Sequence, residues 1–139
     1  MGTVGSPWFN VKEIARGTWQ VQDGIVCCYL IEGDHAALLI DTGWGIGDLR
    51  RLVTEMTPQP ITLINTHGHV DHVCGNHLFT NVLIHRNDVP LLRPIYTRES
   101  RLRTLSRFQA DALPGAVRPG RLGERYVELR HLLCGLPGL

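Results

Sequence analysis

Ile61-Thr62-Leu63-Ile64-Asn65-Thr66-His67-Gly68-His69-Val70-Asp71-His72 is the stretch on which the reading of this 139-residue chain turns. A short apolar, β-branched run leads directly into a segment holding three of the chain's seven histidines and one aspartate. Imidazole and carboxylate offer lone pairs in neutral or anionic form, which is what a small divalent metal ion binds. Solvated loops rarely gather such donors so densely behind a strand. The segment therefore reads as a metal site.

The spacing sharpens this. In extended backbone, residues two apart point the same way. His67 and His69 can thus reach one ion from the mouth of the strand. Asp71 continues the two-residue step, and His72 beside it points differently. One loop could feed two adjacent ions, His67 and His69 on the first, Asp71 and His72 on the second. Ions roughly 3.5–4 Å apart can polarise a substrate oxygen and hold an activated water between them. Zinc, up to two ions, is the expected metal, and iron or manganese would suit the same donors. Gly68 is expected to let the backbone turn between the histidines.

Outward from this loop, the hydrophobic period defines the elements. Thr18–Gln22, Ile25–Ile31 and Ala36–Ile40 read as strands joined by turns at Asp23-Gly24 and Glu32-Gly33-Asp34, an antiparallel meander. Leu49, Leu52, Val53 and Met56 then follow helical spacing, so a helix is predicted over 48–56, stopped by Thr57-Pro58. With strands at 36–40 and 61–65, this makes a βαβ unit. Ligands in such units gather at the carboxyl ends of the strands, where Asp41 and His67 both fall. Further on, a short helix is expected over 71–79, a strand over 81–85, helices over 87–92 and 99–108, and a last strand over 126–129. His35, His77 and His85 lack neighbouring donors and are assigned structural or exposed roles.

Thr-His-x-His-x-Asp-His after an apolar strand resembles the signature of the metallo-β-lactamase fold hydrolases. Leu38-Leu39-Ile40-Asp41-Thr42-Gly43 resembles that family's strand ending in Asp-Thr-Gly, and Gly75-Asn76 with Leu78-Phe79 resembles the stretch after its metal loop. The resemblance covers roughly residues 18–95. It implies an α/β (α+β) fold, a partial αββα sandwich with a mixed sheet and flanking helices. It makes His67, His69, Asp71 and His72 ligands and Asp41 a buttress behind the loop. It implies a hydrolase in which zinc-bound hydroxide attacks an ester, thioester, lactam or phosphodiester, with Asp71 also orienting that hydroxide. Where the family carries its next ligand, this chain has Leu129-Arg130-His131-Leu132-Leu133-Cys134-Gly135, and the liganding position falls on Gly135. His131 or Cys134 would have to substitute. Residues 1–139 are accordingly read as one domain, incomplete at the C-terminus. The alternative function is a catalytically impaired or inactive fragment that binds a metal or a partner. A missing half would leave one sheet face uncovered, so a homodimer or marginal stability is expected.

Composition is that of an ordinary globular protein, 43% hydrophobic and 19% charged. No apolar run approaches the roughly 18 residues of a membrane span. The N-terminus lacks the basic start and apolar core of a secretory signal. Cys27, Cys28, Cys74 and Cys134 read as reduced, mostly buried thiols, and adjacent Cys27 and Cys28 should point to opposite faces of a strand. A cytoplasmic location follows. Residues 86–139 carry ten arginines against five acids. With few aromatics between them, they read as a solvated helix surface rather than a nucleic-acid footprint. The expected partner is a small-molecule substrate.

Overall fold

The computed structural model describes residues 8–95 together with 97, 99, 100 and 103. Six strands form a single sheet in sequential order: β1 (Asn10–Ala15), β2 (Thr18–Asp23), β3 (Val26–Glu32), β4 (Ala37–Ile40), β5 (Ile61–Ile64) and β6 (Val82–Leu83). The first four pair antiparallel, and β4–β5 and β5–β6 pair parallel. The mixed sheet and βαβ unit expected from the sequence are both present. No helix among the described residues is long and apolar enough to cross a membrane.

Helix α1 (Leu49–Met56) connects β4 to β5. Asp48 caps it, its carboxylate accepting the Arg51 amide at 3.0 Å. Thr57 leaves the helix in extended backbone ahead of Pro58. Leu49, Leu52 and Val53 are buried, and Met56 packs beside them. They meet Val21, Cys28, Leu30, Ala37, Leu39 and Leu63 on one face of the sheet, with Leu78 and Phe79 closing the same core. Each fully buried aliphatic contributes about 1.5–3 kcal/mol.

Several local expectations are corrected. Strand β1 was not legible, because five of its six residues are exposed and it shows no apolar alternation. Ile25 lies in the β2–β3 turn, 90% exposed, rather than in a strand. The single helix expected over 71–79 is split into α2 (Val70–Val73) and a 3-10 turn, Asn76–Leu78. The strand over 81–85 shrinks to Val82–Leu83, which pair only with β5. The helix over 87–92 becomes a 3-10 turn, Arg86–Asp88, followed by α3 (Val89–Ile95). Pro90 falls in the first turn of α3, where its missing N–H costs nothing. The helix expected over 99–108 falls largely outside the described residues, and the 126–129 strand, His131, Cys134 and Gly135 wholly so.

Candidate metal centre

Strands β4 and β5 end side by side, and the two loops leaving them form the site. Asp41 follows β4 and extends the ladder, its amide donating to the Ile64 carbonyl at 2.9 Å. It adopts left-handed backbone, φ 62°, rare for a residue with a side chain. That conformation accompanies a dense set of bonds to the β5 loop. Oδ1 accepts the Thr66 amide at 2.8 Å, and Oδ2 accepts the Thr66 hydroxyl at 2.7 Å. Oδ2 also lies 2.8 Å from His72 Nδ1. Asp41 is buried, so its carboxylate holds both ends of the His-rich loop from within the protein.

These bonds fix the faces that two imidazoles present. His72 Nδ1–H donates to Asp41, which leaves Nε2 with its lone pair outward. Thr66 has one hydroxyl hydrogen, and Asp41 takes it. The Thr66 oxygen therefore accepts from His67 Nδ1–H at 2.9 Å, and His67 also presents Nε2. The His67 and His72 ring centroids are 4.1 Å apart, and those of His67 and His69 are 4.7 Å apart in an edge arrangement. Asp71 Oδ2 stands 3.6 Å from His72 Nε2. His67, Asp71 and His72 are half-buried and His69 is exposed.

The loop's backbone departs from its expected path. The extended step ends at His69, which caps α2, so Asp71 sits on a helical turn rather than continuing the two-residue alternation. Gly68 does not occupy left-handed backbone, unlike Gly43 and Gly45. It is needed for space: a Cβ there would lie 2.9 Å from Leu91 Cβ and 3.0 Å from the Asp88 carbonyl oxygen.

Behind the His-rich loop lies a buried amide pair that the sequence reading did not find. Asn76 Nδ2 donates to Asn65 Oδ1 at 2.6 Å, and Asn65 Nδ2 donates back to Asn76 Oδ1 at 3.2 Å. The Thr42 hydroxyl reaches Asn76 Oδ1 at 2.7 Å. The His72 carbonyl accepts the Thr42 amide at 2.9 Å and Asn65 Nδ2 at 3.3 Å. Asp23, also buried, accepts the Trp44 amide at 2.8 Å and so steadies the loop after Asp41. Asn65 and Asn76 are polar residues at the end of an apolar strand and beside a glycine, the one local hint of their role. Their partnership depends on a fold the sequence window cannot display.

Of the remaining expected positions, His77 is buried, with Nδ1 2.7 Å from the Cys74 carbonyl. His85 is exposed and accepts the Asn87 amide at 3.3 Å. Cys74 is buried. Cys27 is half-buried and Cys28 buried. Burial, with Asp23 and Asp41 nearby, pushes the Cys28 thiol well above its ordinary value.

The donor chemistry fits a divalent metal: three imidazoles and a carboxylate at one strand end, two of the rings oriented through Nδ1. The side chains stand close without converging. Among the described residues, no three histidine, cysteine, aspartate or glutamate side chains already form a group that could hold an ion.

A mixed sheet carrying a His-x-His-x-Asp-His loop at the carboxyl ends of its parallel strands defines a class, the α/β folds of metal-dependent hydrolases. Residues 21–131 match the metallo-beta-lactamase superfamily, and the chain belongs to that family. Solved structures agree in fold. The metallo-beta-lactamase FIM-1 from Pseudomonas aeruginosa, in its mono-zinc form, superposes with a TM-score of 0.52 at 16% identity, covering 62% of this chain and 46% of that one. An enzyme of the same name class from Pontibacter korlensis gives 0.52 at 22% identity, covering 62% and 47%. One from Erythrobacter litoralis gives 0.53 at 17%, covering 65% and 47%. At these identities the likeness concerns the fold alone. A curated relative, the 2,4-dinitroanisole O-demethylase subunit alpha of a Nocardioides species, is 31% identical over 71 residues, 48% of this chain and 22% of that protein. The chain thus spans under half the length of these structures and about a fifth of the curated relative.

Proposed function

We propose that this chain carries the metal-binding portion of a metal-dependent hydrolase, with His67, His69, Asp71 and His72 holding up to two divalent ions, zinc foremost. The observation that carries the reading is the Asp41 carboxylate, which binds Thr66 and His72 together and, directly or through the Thr66 hydroxyl, engages the Nδ1 atoms of both His72 and His67, leaving both Nε2 atoms free of these bonds. A bound zinc would supply Lewis acidity, polarising a substrate oxygen and acidifying water. The chain's own residues supply the rest. Asp41 and Thr66 set ring orientation, the Asn65–Asn76 pair holds the His72 backbone, and Asp71, beside His72, is placed to accept a proton at its carboxylate. The substrate is a small molecule with an electrophilic centre, an ester, thioester, lactam or phosphodiester. The Nocardioides relative's named substrate adds an activated aromatic ether to these classes.

A second reading, metal or partner binding without turnover, draws support from the donors' lack of convergence among the described residues. One experiment separates the two. The purified chain is dialysed against zinc, its metal content measured, and its turnover of ester and thioester substrates assayed beside His69→Ala. One to two tightly held ions, with turnover lost in His69→Ala, is the expected result. Bound zinc without turnover selects the second reading. Metal content near zero sinks both as metal proteins.

A further inference from the structure

Twenty residues after Gly68, the Asp88 carboxylate reaches back and accepts the Gly68 amide at 3.1 Å. Gly68 is the residue between His67 and His69, so this bond grips the peptide unit joining the two histidines. Asp88 is itself held in place. It closes the Arg86–Asp88 turn, its own amide donating to the His85 carbonyl at 2.9 Å, and it leads directly into α3. The same segment covers Gly68 sterically, through the Asp88 carbonyl oxygen and Leu91 Cβ. The contact is therefore a two-part clamp, a charge-assisted hydrogen bond to the loop backbone and an apolar side chain against it.

We infer that Asp88, with Leu91 packed beside it, is a positioning residue for the metal loop, fixing the relative orientation of the His67 and His69 rings through the Gly68 amide. The inference deepens the proposed metal site and rests on it for its functional consequence. Asp88 touches neither a reacting atom nor a ligand ring. It acts on the short link between two side chains whose directions decide whether they meet at one ion. Asp41 restrains His67 only through Thr66, and nothing described restrains the His69 ring from that side. The exposed His69 ring thus depends on the Gly68 peptide more than any other donor does.

The test uses the full chain and three variants. Asp88→Ala removes the acceptor, Asp88→Asn keeps an amide oxygen at the same place, and Gly68→Ala leaves Asp88 intact while forcing the clamp off the loop. Two measurements are made on each. In the zinc-free protein, hydrogen exchange of the Gly68 amide and the ring resonances of His67 and His69 are followed by NMR. Zinc affinity is then measured by competition with a chromophoric chelator. Asp88→Ala should speed exchange of the Gly68 amide at least tenfold, and Gly68→Ala should do the same for the amide of residue 68; both should shift the two ring resonances and weaken zinc binding by about 10–100-fold. Asp88→Asn should stay within about threefold of the parent on both measures. Unchanged Gly68 exchange in Asp88→Ala would overturn the clamp. Faster exchange with unmoved ring resonances, or with zinc affinity intact, would reduce Asp88 to a structural contact and overturn the positioning role. If the parent itself binds no zinc, the metal reading fails while exchange and ring resonances still decide the clamp.

Discussion

Asp41 concentrates more of this molecule's organisation than any of the proposed ligands does. Its buried carboxylate accepts two donors from Thr66 and one from His72, and its backbone sits in a region that β-carbon sterics disfavour. Asn tolerates that backbone but offers a single acceptor oxygen and brings an amide donor into a space facing donors. Asp41→Asn is therefore expected to lose about 1–3 kcal/mol of folding stability and to weaken zinc binding by about 10–100-fold. Urea unfolding and chelator competition measure the two separately. Parent-like zinc affinity in Asp41→Asn would show that ring orientation does not depend on this carboxylate.

Cys28 offers a pH signature from the same region. Its thiol stays protonated in the folded chain because burial, and then the Asp23 and Asp41 carboxylates, penalise the thiolate. In the unfolded chain it ionises near an ordinary thiol value, about 8.5. The folded pKa is the raised one, so above that pH the unfolded state binds fewer protons and stability falls. The contribution approaches about 1.4 kcal/mol per pH unit. Cys28→Ala removes the titrating proton, and the small cavity it leaves does not depend on pH. Between pH 8.5 and 10.5 its unfolding free energy should fall less steeply than the parent's. Parallel slopes would mean that the thiol titrates in the folded state.

At the scale of elements, the site depends on two loops lying backbone against backbone. Gly45 has φ 64°, and a Cβ there would stand 2.3 Å from the Cys74 carbonyl oxygen. Gly45→Ala should cost at least the roughly 1–2 kcal/mol of left-handed backbone, and more because main chain cannot step aside as a side chain can. Unfolding midpoints in urea check this, and a parent-like midpoint would mean the loops are not in contact. The same closeness explains what the sequence could and could not disclose. The strands β2 to β5 and helix α1 follow from local period and capping, which any window over Leu49-Leu52-Val53 or Leu38-Leu39-Ile40 displays. The proposed metal donors were legible because they are contiguous. The break between α2 and the following 3-10 turn was not, because it is imposed from outside: Thr42 and Asn65 claim the Asn76 amide, and Gly75 lies against Thr42. Asp88 escaped notice for the same reason, being an ordinary loop aspartate until the fold brings Gly68 to it.

At the scale of the molecule, the two faces of the sheet differ. One holds the core. On the other, Tyr29 and Ile31 of β3 stand opposite Ile40 and Leu38 of β4, and Ile40, Ile64 and Leu83 continue across β5 and β6. Ile31, Ile64 and Leu83 are 38%, 38% and 47% exposed, with no covering layer among the described residues. A contiguous apolar face of this kind marks an interaction surface. A second copy of the chain is the occupant expected from the sequence, and a double substitution, Ile64→Thr with Leu83→Thr, tests it while keeping strand propensity. If the faces of two chains meet, the parent should show concentration-dependent dimerisation in sedimentation. The variant should then stay monomeric, with its zinc content unchanged. Its unfolding free energy at high dilution should differ from the parent's by under about 1 kcal/mol, since surface changes away from packed groups seldom cost more. A monomeric parent whose variant loses several kcal/mol would place the face inside the folded chain, covered by its own residues, and would end the dimer expectation.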